Sequence, residues 1–110
     1  MITEKRKAPR INSHIVVEMN LPGQFPKHCG YIENLSERGM GVISLDPFQP
    51  GDQLSISFIL PGTIDRIMTV ASIVRTQPSM GMLNYYAFTF ENISQDDCHK
   101  ITNFVRENAA

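Results

Sequence analysis

The sequence lacks any long apolar segment. No stretch of its 110 residues approaches the roughly 20 consecutive apolar residues that a membrane-spanning helix needs. The basic first residues, MITEKRKAPR, are not followed by the apolar region that a secretory signal peptide requires. We therefore expect no membrane span and a cytoplasmic location.

Cysteines are few, since the chain has only Cys29 and Cys98. Without an export signal, we expect these thiols to be reduced and not joined in a disulfide. Each is next to a histidine, His28 or His99, but adjacent residues on a strand point to opposite faces and no Cys-x-x-Cys or His-x-x-x-His spacing is present. The sequence therefore predicts no metal site and no cofactor.

Catalytic motifs are also missing. The chain has no Gly-x-Ser-x-Gly elbow, Walker loop, Gly-x-Gly-x-x-Gly segment or His-Glu-x-x-His helix. Its three histidines are scattered and have no evident serine or cysteine partner. The sequence thus provides no identifiable nucleophile or base, and we predict that the protein is not an enzyme.

Excess charge is absent overall, because the net charge is -1, which gives the whole chain no attraction to nucleic acid or anionic lipid. A local basic cluster nevertheless opens the chain, with Lys5, Arg6, Lys7 and Arg10. Pro9 disfavours helical geometry at Ala8, so Arg6 and Arg10 are expected on an extended segment, about 13 Å apart along the backbone. Two guanidinium groups at that separation could contact opposite sides of a compact ligand, and they match both phosphate oxygens and the O6 and N7 atoms of guanine. On its own, the cluster is more typical of a solvated N-terminal tail than of a binding site.

What the sequence does contain is a series of short apolar runs separated by Pro and Gly turns. An apolar share of 42% and a length of 110 residues fit one soluble domain. Alternation is clearest in QLSISFIL, where Leu54, Ile56 and Phe58 face one way and the intervening polar residues face the other. Six strands are predicted, at 14–20, 29–34, 40–45, 53–60, 67–76 and 85–91. Strands of this length without intervening helices favour a closed or nearly closed antiparallel barrel.

A single helix is predicted at the end, over about 95–107. Ser94 is suited to cap its N-terminus, and Asp96 and Asp97 in the first turn favour the positive end of the helix dipole. An apolar stripe of Cys98, Ile101, Phe104 and Val105 follows at spacings of three and four. We expect this stripe to pack against the barrel and close one of its openings.

Between the second and third predicted strands lies Asn34-x-Ser36-x-x-Gly39. Asn34 offers a side-chain amide, Ser36 a hydroxyl, and Gly39 permits a positive φ or a close backbone approach. A purely structural turn accounts for these residues equally well. The motif becomes specific only in combination with the Arg6-x-x-x-Arg10 segment and the order of strands.

In that combination, the chain resembles the PilZ domain, the bacterial receptor for cyclic di-GMP (c-di-GMP). The resemblance covers nearly the whole chain and includes the Pro50-Gly51-Asp52 turn, the aromatic strand with Phe88-Thr89-Phe90 and the final helix. It implies a six-stranded antiparallel β-barrel of the split-barrel type with a C-terminal helix. The corresponding organisation is a flexible leader over 1–12 and a barrel with its helix over 13–110.

The resemblance also implies which residues bind the nucleotide. By position, Arg6 and Arg10 would grip a guanine edge and the phosphates, and Asn34, Ser36 and Gly39 would line the other side of the ligand. Lys5, Lys7 and Arg38 are possible additional contacts. Three positions depart from the family pattern: Asn34 is the neutral alternative to Asp, Lys5 precedes Arg6 where the family sets whether one or two ligands bind, and Ala87 replaces a frequent glycine.

The resulting hypothesis is a non-enzymatic c-di-GMP receptor whose leader changes conformation and regulates a separate, unidentified effector protein, as a monomer or homodimer. One alternative is a module of the same fold that binds a partner protein without nucleotide. A second is a barrel that binds single-stranded nucleic acid on exposed aromatics. The acidic body of the chain and the core-facing aromatics disfavour this second alternative, so no nucleic-acid partner is expected.

Overall fold

The structure is a computed structural model that describes residues 11–23 and 28–108. In this part of the chain, six strands are followed by one helix. The elements are β1 (Ile11–Asn20), β2 (His28–Leu35), β3 (Gly39–Ser44), β4 (Gln53–Ile59), β5 (Arg66–Pro78), β6 (Asn84–Glu91) and α1 (Gln95–Asn108). The predicted elements therefore exist in the predicted order. β1 begins at Ile11, inside the range predicted for the leader.

The strands form a closed barrel in the order β1-β2-β3-β6-β5-β4, and every neighbouring pair is antiparallel. Closure occurs where the second half of β1 pairs with β4, from Val17 opposite Phe58 to Asn20 opposite Ser55. The six-stranded antiparallel barrel predicted from the sequence is thus confirmed.

The barrel core is built from the alternating side chains of the strands. On β4, Leu54, Ile56 and Phe58 are buried, whereas Gln53 and Ser55 are exposed. β6 follows the same rule and buries Tyr86, Phe88 and Phe90. Because alternate side chains of a strand point to opposite faces, a period of two in hydrophobicity was sufficient to predict which face is buried.

Helix α1 begins as predicted, because the Asp97 amide N–H donates to the Ser94 hydroxyl at 3.0 Å. Ile101, Phe104 and Val105 are buried in the barrel core, so the stripe anchors the helix to the barrel. Cys98, also assigned to the stripe, is only half-buried. Within 11–23 and 28–108, no helix is both long and apolar enough to cross a membrane.

The polar side of α1 is attached to the β4–β5 connection through one lysine. Lys100 Nζ lies 3.1 Å from Asp96 Oδ2 on the same helix and 3.9 Å from Asp65 Oδ1. The hydrogen bond to Asp96, together with the surrounding negative charge, raises the pKa of Lys100 above its ordinary value of 10.5. The lysine therefore stays charged at neutral pH and adds an electrostatic contact to the apolar anchoring of the helix.

Candidate ligand-binding site at the β2–β3 turn

The Asn34-x-Ser36-x-x-Gly39 motif forms the tight connection between β2 and β3. The Ser36 amide N–H donates to the Gly39 carbonyl at 2.9 Å, which closes the turn. The Ser36 hydroxyl oxygen accepts from the Arg38 amide at 3.3 Å and lies 3.5 Å from the Gly39 carbonyl oxygen. Both hydroxyl contacts are long for hydrogen bonds, so a ligand oxygen at ordinary distance could compete with them.

Gly39 is needed at this turn because another strand passes very close to it. A Cβ atom on Gly39 would lie 2.0 Å from the Phe88 carbonyl oxygen of β6, well inside van der Waals contact. The positive-φ glycines of the described chain are others, Gly23, Gly51, Gly62 and Gly81. Of the two reasons given for a glycine at position 39, close backbone approach therefore holds and a positive φ is wrong.

Asn34 is buried, with 9% of its surface exposed, although its amide is polar. Its Nδ2 donates to the Tyr85 hydroxyl at 3.4 Å. Asn34 pairs with Gly41 of β3, at which a Cβ would lie only 2.2 Å from the Tyr85 hydroxyl oxygen. The absence of a side chain at Gly41 thus makes room for the Tyr85 ring beside Asn34.

The turn and parts of strands β3, β5 and β6 line an open surface cavity of about 220 Å³. Its lining includes four of the binding candidates predicted from the sequence: Asn34, Ser36, Arg38 and Gly39. The rest of the lining comes from β3, β5 and β6: Met40, Arg75, Tyr85, Ala87, Phe88 and Thr89. The described candidates therefore share one surface concavity.

Arg75 and Tyr85 also line this cavity, although neither belongs to the two sequence motifs. Arg75 Cζ lies 5.9 Å from the centroid of the Tyr85 ring, within the range of a cation–π contact. The β5–β6 register shifts between Ile73 and Arg75, and the shift pairs Arg75 with Ala87. Ala87, which stands where the family pattern frequently has a glycine, also lines the cavity. An arginine and an aromatic residue on predicted strands were visible in the sequence, but their meeting depends on this register.

The remaining binding candidates, Lys5, Arg6, Lys7 and Arg10, lie outside the described residues. The described residues do show where the chain that follows Arg10 enters the barrel. Ile11 of β1 is opposite Leu35 of β2, the residue just before Ser36. The first described residue of β1 is therefore next to the turn that lines the cavity.

The two cysteines and their neighbouring histidines do not form a common site. Cys29 is exposed, Cys98 is half-buried, and both are free thiols. His28 Nδ1 lies 3.0 Å from Asp46 Oδ1, and the His28 ring packs edge-on against Phe48. His28 is not among the residues that line the cavity. Among residues 11–23 and 28–108, no three His, Cys, Asp or Glu side chains are grouped as metal ligands would be.

Several solved structures share this fold at low sequence identity. The inhibitor of motility MotI (DgrA) of Bacillus subtilis superimposes with a TM-score of 0.82 at 18% identity, covering 96% of this chain and 51% of MotI. MrkH of K. pneumonia, in complex with c-di-GMP, superimposes with a TM-score of 0.77 at 13% identity, and the match covers 96% of this chain and 53% of MrkH. The PilZ domain of YcgR from Escherichia coli, with c-di-GMP, superimposes with a TM-score of 0.72 at 16% identity. This match covers 94% of this chain and 91% of the YcgR domain. The chain spans about half the length of MotI and MrkH.

No curated protein sequence matches the chain. The family model of the PilZ domain, in contrast, matches residues 4–107, which include the Arg6-x-x-x-Arg10 segment, the β2–β3 turn and nearly all of α1. Both the barrel architecture and this match lead to the same assignment, and the chain belongs to the PilZ domain family.

Proposed function

We propose that this PilZ domain is a non-enzymatic cytoplasmic receptor for c-di-GMP, which binds between Arg6 and Arg10 of the leader and the turn with Asn34, Ser36 and Gly39. The observation that carries the proposal is the cavity at the β2–β3 turn, where all three turn residues meet beside the start of β1. The c-di-GMP in the structures of the YcgR domain and MrkH supports this choice of ligand.

The chemistry of the cavity suits a nucleotide. The Asn34 amide can pair with a guanine edge, and the Ser36 hydroxyl can donate to a phosphate oxygen. Arg75 adds a fixed positive charge, and Tyr85 adds an aromatic ring at the same surface. Because Asn34 is neutral, its hydrogen bonds to guanine N–H groups lack the charge assistance that an aspartate would supply, which lowers the expected affinity.

The size of the cavity indicates how the leader would contribute. At about 220 Å³ it is smaller than the roughly 300–1,000 Å³ of typical small-molecule sites. A cyclic dinucleotide would therefore need further contacts beyond the described lining. Arg6 and Arg10, whose chain continues directly into Ile11 beside the turn, are the natural source of those contacts. Ligand binding would order the leader over the cavity and create a surface that acts on a separate effector protein.

Isothermal titration calorimetry with c-di-GMP tests the proposal. The Arg6→Ala, Arg10→Ala double variant should bind at least about 100-fold more weakly than the wild type, since each charge-assisted contact contributes roughly 1.5–3 kcal/mol. Arg106→Ala is the matched control, because Arg106 is an exposed arginine on α1 and is not among the residues that line the cavity. GMP and cyclic di-AMP should bind far more weakly than c-di-GMP.

Equal affinity of the wild type and the double variant would reject the receptor assignment. Capture of a specific partner without any response to c-di-GMP would instead favour the nucleotide-independent interaction module. Retardation of single-stranded RNA or DNA in a gel at physiological salt would favour the nucleic-acid-binding barrel.

A further inference from the structure

Glu37 lies in the middle of the binding turn but contacts helix α1. Its neighbours Ser36 and Arg38 line the cavity. The Glu37 carboxylate oxygen Oε2 accepts a hydrogen bond from the Thr102 hydroxyl at 2.9 Å and lies 3.8 Å from the Cys98 thiol sulfur. The carboxylate thus connects the turn to two successive turns of the helix.

The Thr102 hydroxyl is oriented by its own helix for this contact. Its oxygen also lies 2.9 Å from the Cys98 carbonyl oxygen, one helical turn earlier. Such a back-bond is typical of one threonine rotamer in helices, and it restricts the side chain before Glu37 is bound. Since the charged acceptor forms the stronger hydrogen bond, the single hydroxyl hydrogen favours Glu37.

The helix can serve as a rigid support because the face next to Thr102 is fixed in the core. Ile101 and Val105, which flank Thr102 on the helix, are 0% and 2% exposed. On the other side of the turn, the Phe90 amide of β6 donates to the Arg38 carbonyl at 3.0 Å. The turn is therefore held by β6 through its backbone and by α1 through Glu37.

We propose that Glu37 is a positioning residue that ties the nucleotide-binding turn to α1, so that ligand binding and docking of the helix stabilise each other. The proposal rests on the proposed function for the identity of the ligand. Because Glu37 already restricts the turn with Ser36 and Arg38, less conformational entropy is lost there when the ligand binds. Because coupling between two sites is reciprocal, c-di-GMP in turn restrains α1. The helix is then a second element, in addition to the leader, through which ligand occupancy reaches a partner.

The decisive variants alter Thr102, which is not among the residues that line the cavity. Thr102→Val removes the hydroxyl at nearly constant shape, and Thr102→Ser retains it. Titration calorimetry with c-di-GMP should show about 5-fold weaker binding to Thr102→Val, the lower end of typical coupling. The affinity of Thr102→Ser for c-di-GMP should stay within about 2-fold of the wild-type affinity. Glu37→Ala should weaken binding similarly, and adding Thr102→Val to it should have no further effect, because both remove the same bond.

Hydrogen exchange measured by NMR provides a second readout. In the wild type, c-di-GMP should slow amide exchange in α1, and this slowing should be lost in Thr102→Val. Without ligand, the amide hydrogens of Ser36 and Arg38 should exchange faster in Thr102→Val than in the wild type. Both amides are hydrogen-bonded within the turn, and a turn released from α1 opens more often.

Wild-type affinity in a folded Thr102→Val protein overturns the proposal. If the wild type itself binds no c-di-GMP, the proposed function fails. Amide exchange in the ligand-free proteins then tests separately whether Glu37 ties the turn to α1. Unchanged Ser36 and Arg38 exchange in Thr102→Val would reject this tie. Should Thr102→Val fold poorly by thermal denaturation, Glu37→Gln replaces it, with weaker binding expected from the loss of charge.

Discussion

The guanidinium of Arg75 lies 5.9 Å from the centre of the Tyr85 ring, whose hydroxyl accepts a hydrogen bond from Asn34. Side chains from β5, β6 and β2 thereby form one row along the wall of the cavity. Members of such a row restrain one another, so a change at one end is expected to alter the position of the next. Arg75 and Tyr85 in this row belong to the cavity but to neither of the two sequence motifs.

Removing the Tyr85 hydroxyl should reduce ligand affinity without disrupting the barrel. Tyr85→Phe keeps the ring under Arg75 but loses the acceptor for Asn34 Nδ2. Because the bond is long, at 3.4 Å, we expect a loss of about 0.5 kcal/mol in the free energy of unfolding and about 2- to 3-fold in affinity. Thermal denaturation and calorimetry measure the two effects. Tyr31→Phe, at an exposed tyrosine outside the cavity lining, is the control. An equal loss of affinity in both variants would contradict the assigned role.

Arg75 should contribute to ligand binding through both its charge and its planar shape. Arg75→Ala is expected to weaken c-di-GMP binding by about 10-fold, and Arg75→Lys should recover only part of this loss, because lysine lacks the planar fork. Arg66, another exposed β5 arginine, donates to Ser57 at 2.7 Å and lines a different concavity. Arg66→Ala therefore provides a charge-matched comparison. If Arg66→Ala reduced affinity as much as Arg75→Ala, general electrostatic attraction would account for the result.

Substituting Gly39 should destabilise the barrel itself. The new Cβ of Gly39→Ala meets the Phe88 carbonyl oxygen, so β3 or β6 must shift, at an expected cost of at least about 2 kcal/mol. Gly81→Ala provides a graded comparison: it meets no atom within 4 Å but has a φ of 62°, so it should cost only about 1 kcal/mol. Urea unfolding gives both values. Equal stability of Gly39→Ala and the wild type would show that the close approach is not restrictive.

A stability effect without a binding effect is expected at Tyr86. Its buried hydroxyl donates to the Asp46 carbonyl and accepts from the Phe48 amide, with the latter bond at 3.0 Å. Tyr86→Phe leaves the amide without this acceptor, and we expect the free energy of unfolding to fall by about 1–3 kcal/mol. The affinity for c-di-GMP should stay within about 2-fold of the wild type, because Tyr86 does not line the cavity. A large affinity loss in the folded variant would contradict this separation.

The sequence predicted the barrel well because its strands alternate between apolar and polar residues and end at Pro and Gly turns. It could not predict the row with Arg75 and Tyr85, since alternation along a strand does not reveal which residues of other strands are opposite. Register shifts at Ile32/Asn34 and Ile73/Arg75 decide those contacts. The bond between Glu37 and Thr102 joins residues 65 positions apart, a separation at which no local pattern gives a signal.

The close approach of Gly39 to the Phe88 carbonyl affects how related sequences are interpreted. A glycine that β6 requires for barrel assembly would be retained by a descendant of this protein even after nucleotide binding was lost. Its presence alone is therefore weak evidence of a receptor. Under the proposed function, Ser36, Arg6 and Arg10 contact the ligand, and Ser36 lies where no strand passes as close as at Gly39. We therefore expect these three residues to be better markers than Gly39 for separating binding from non-binding members.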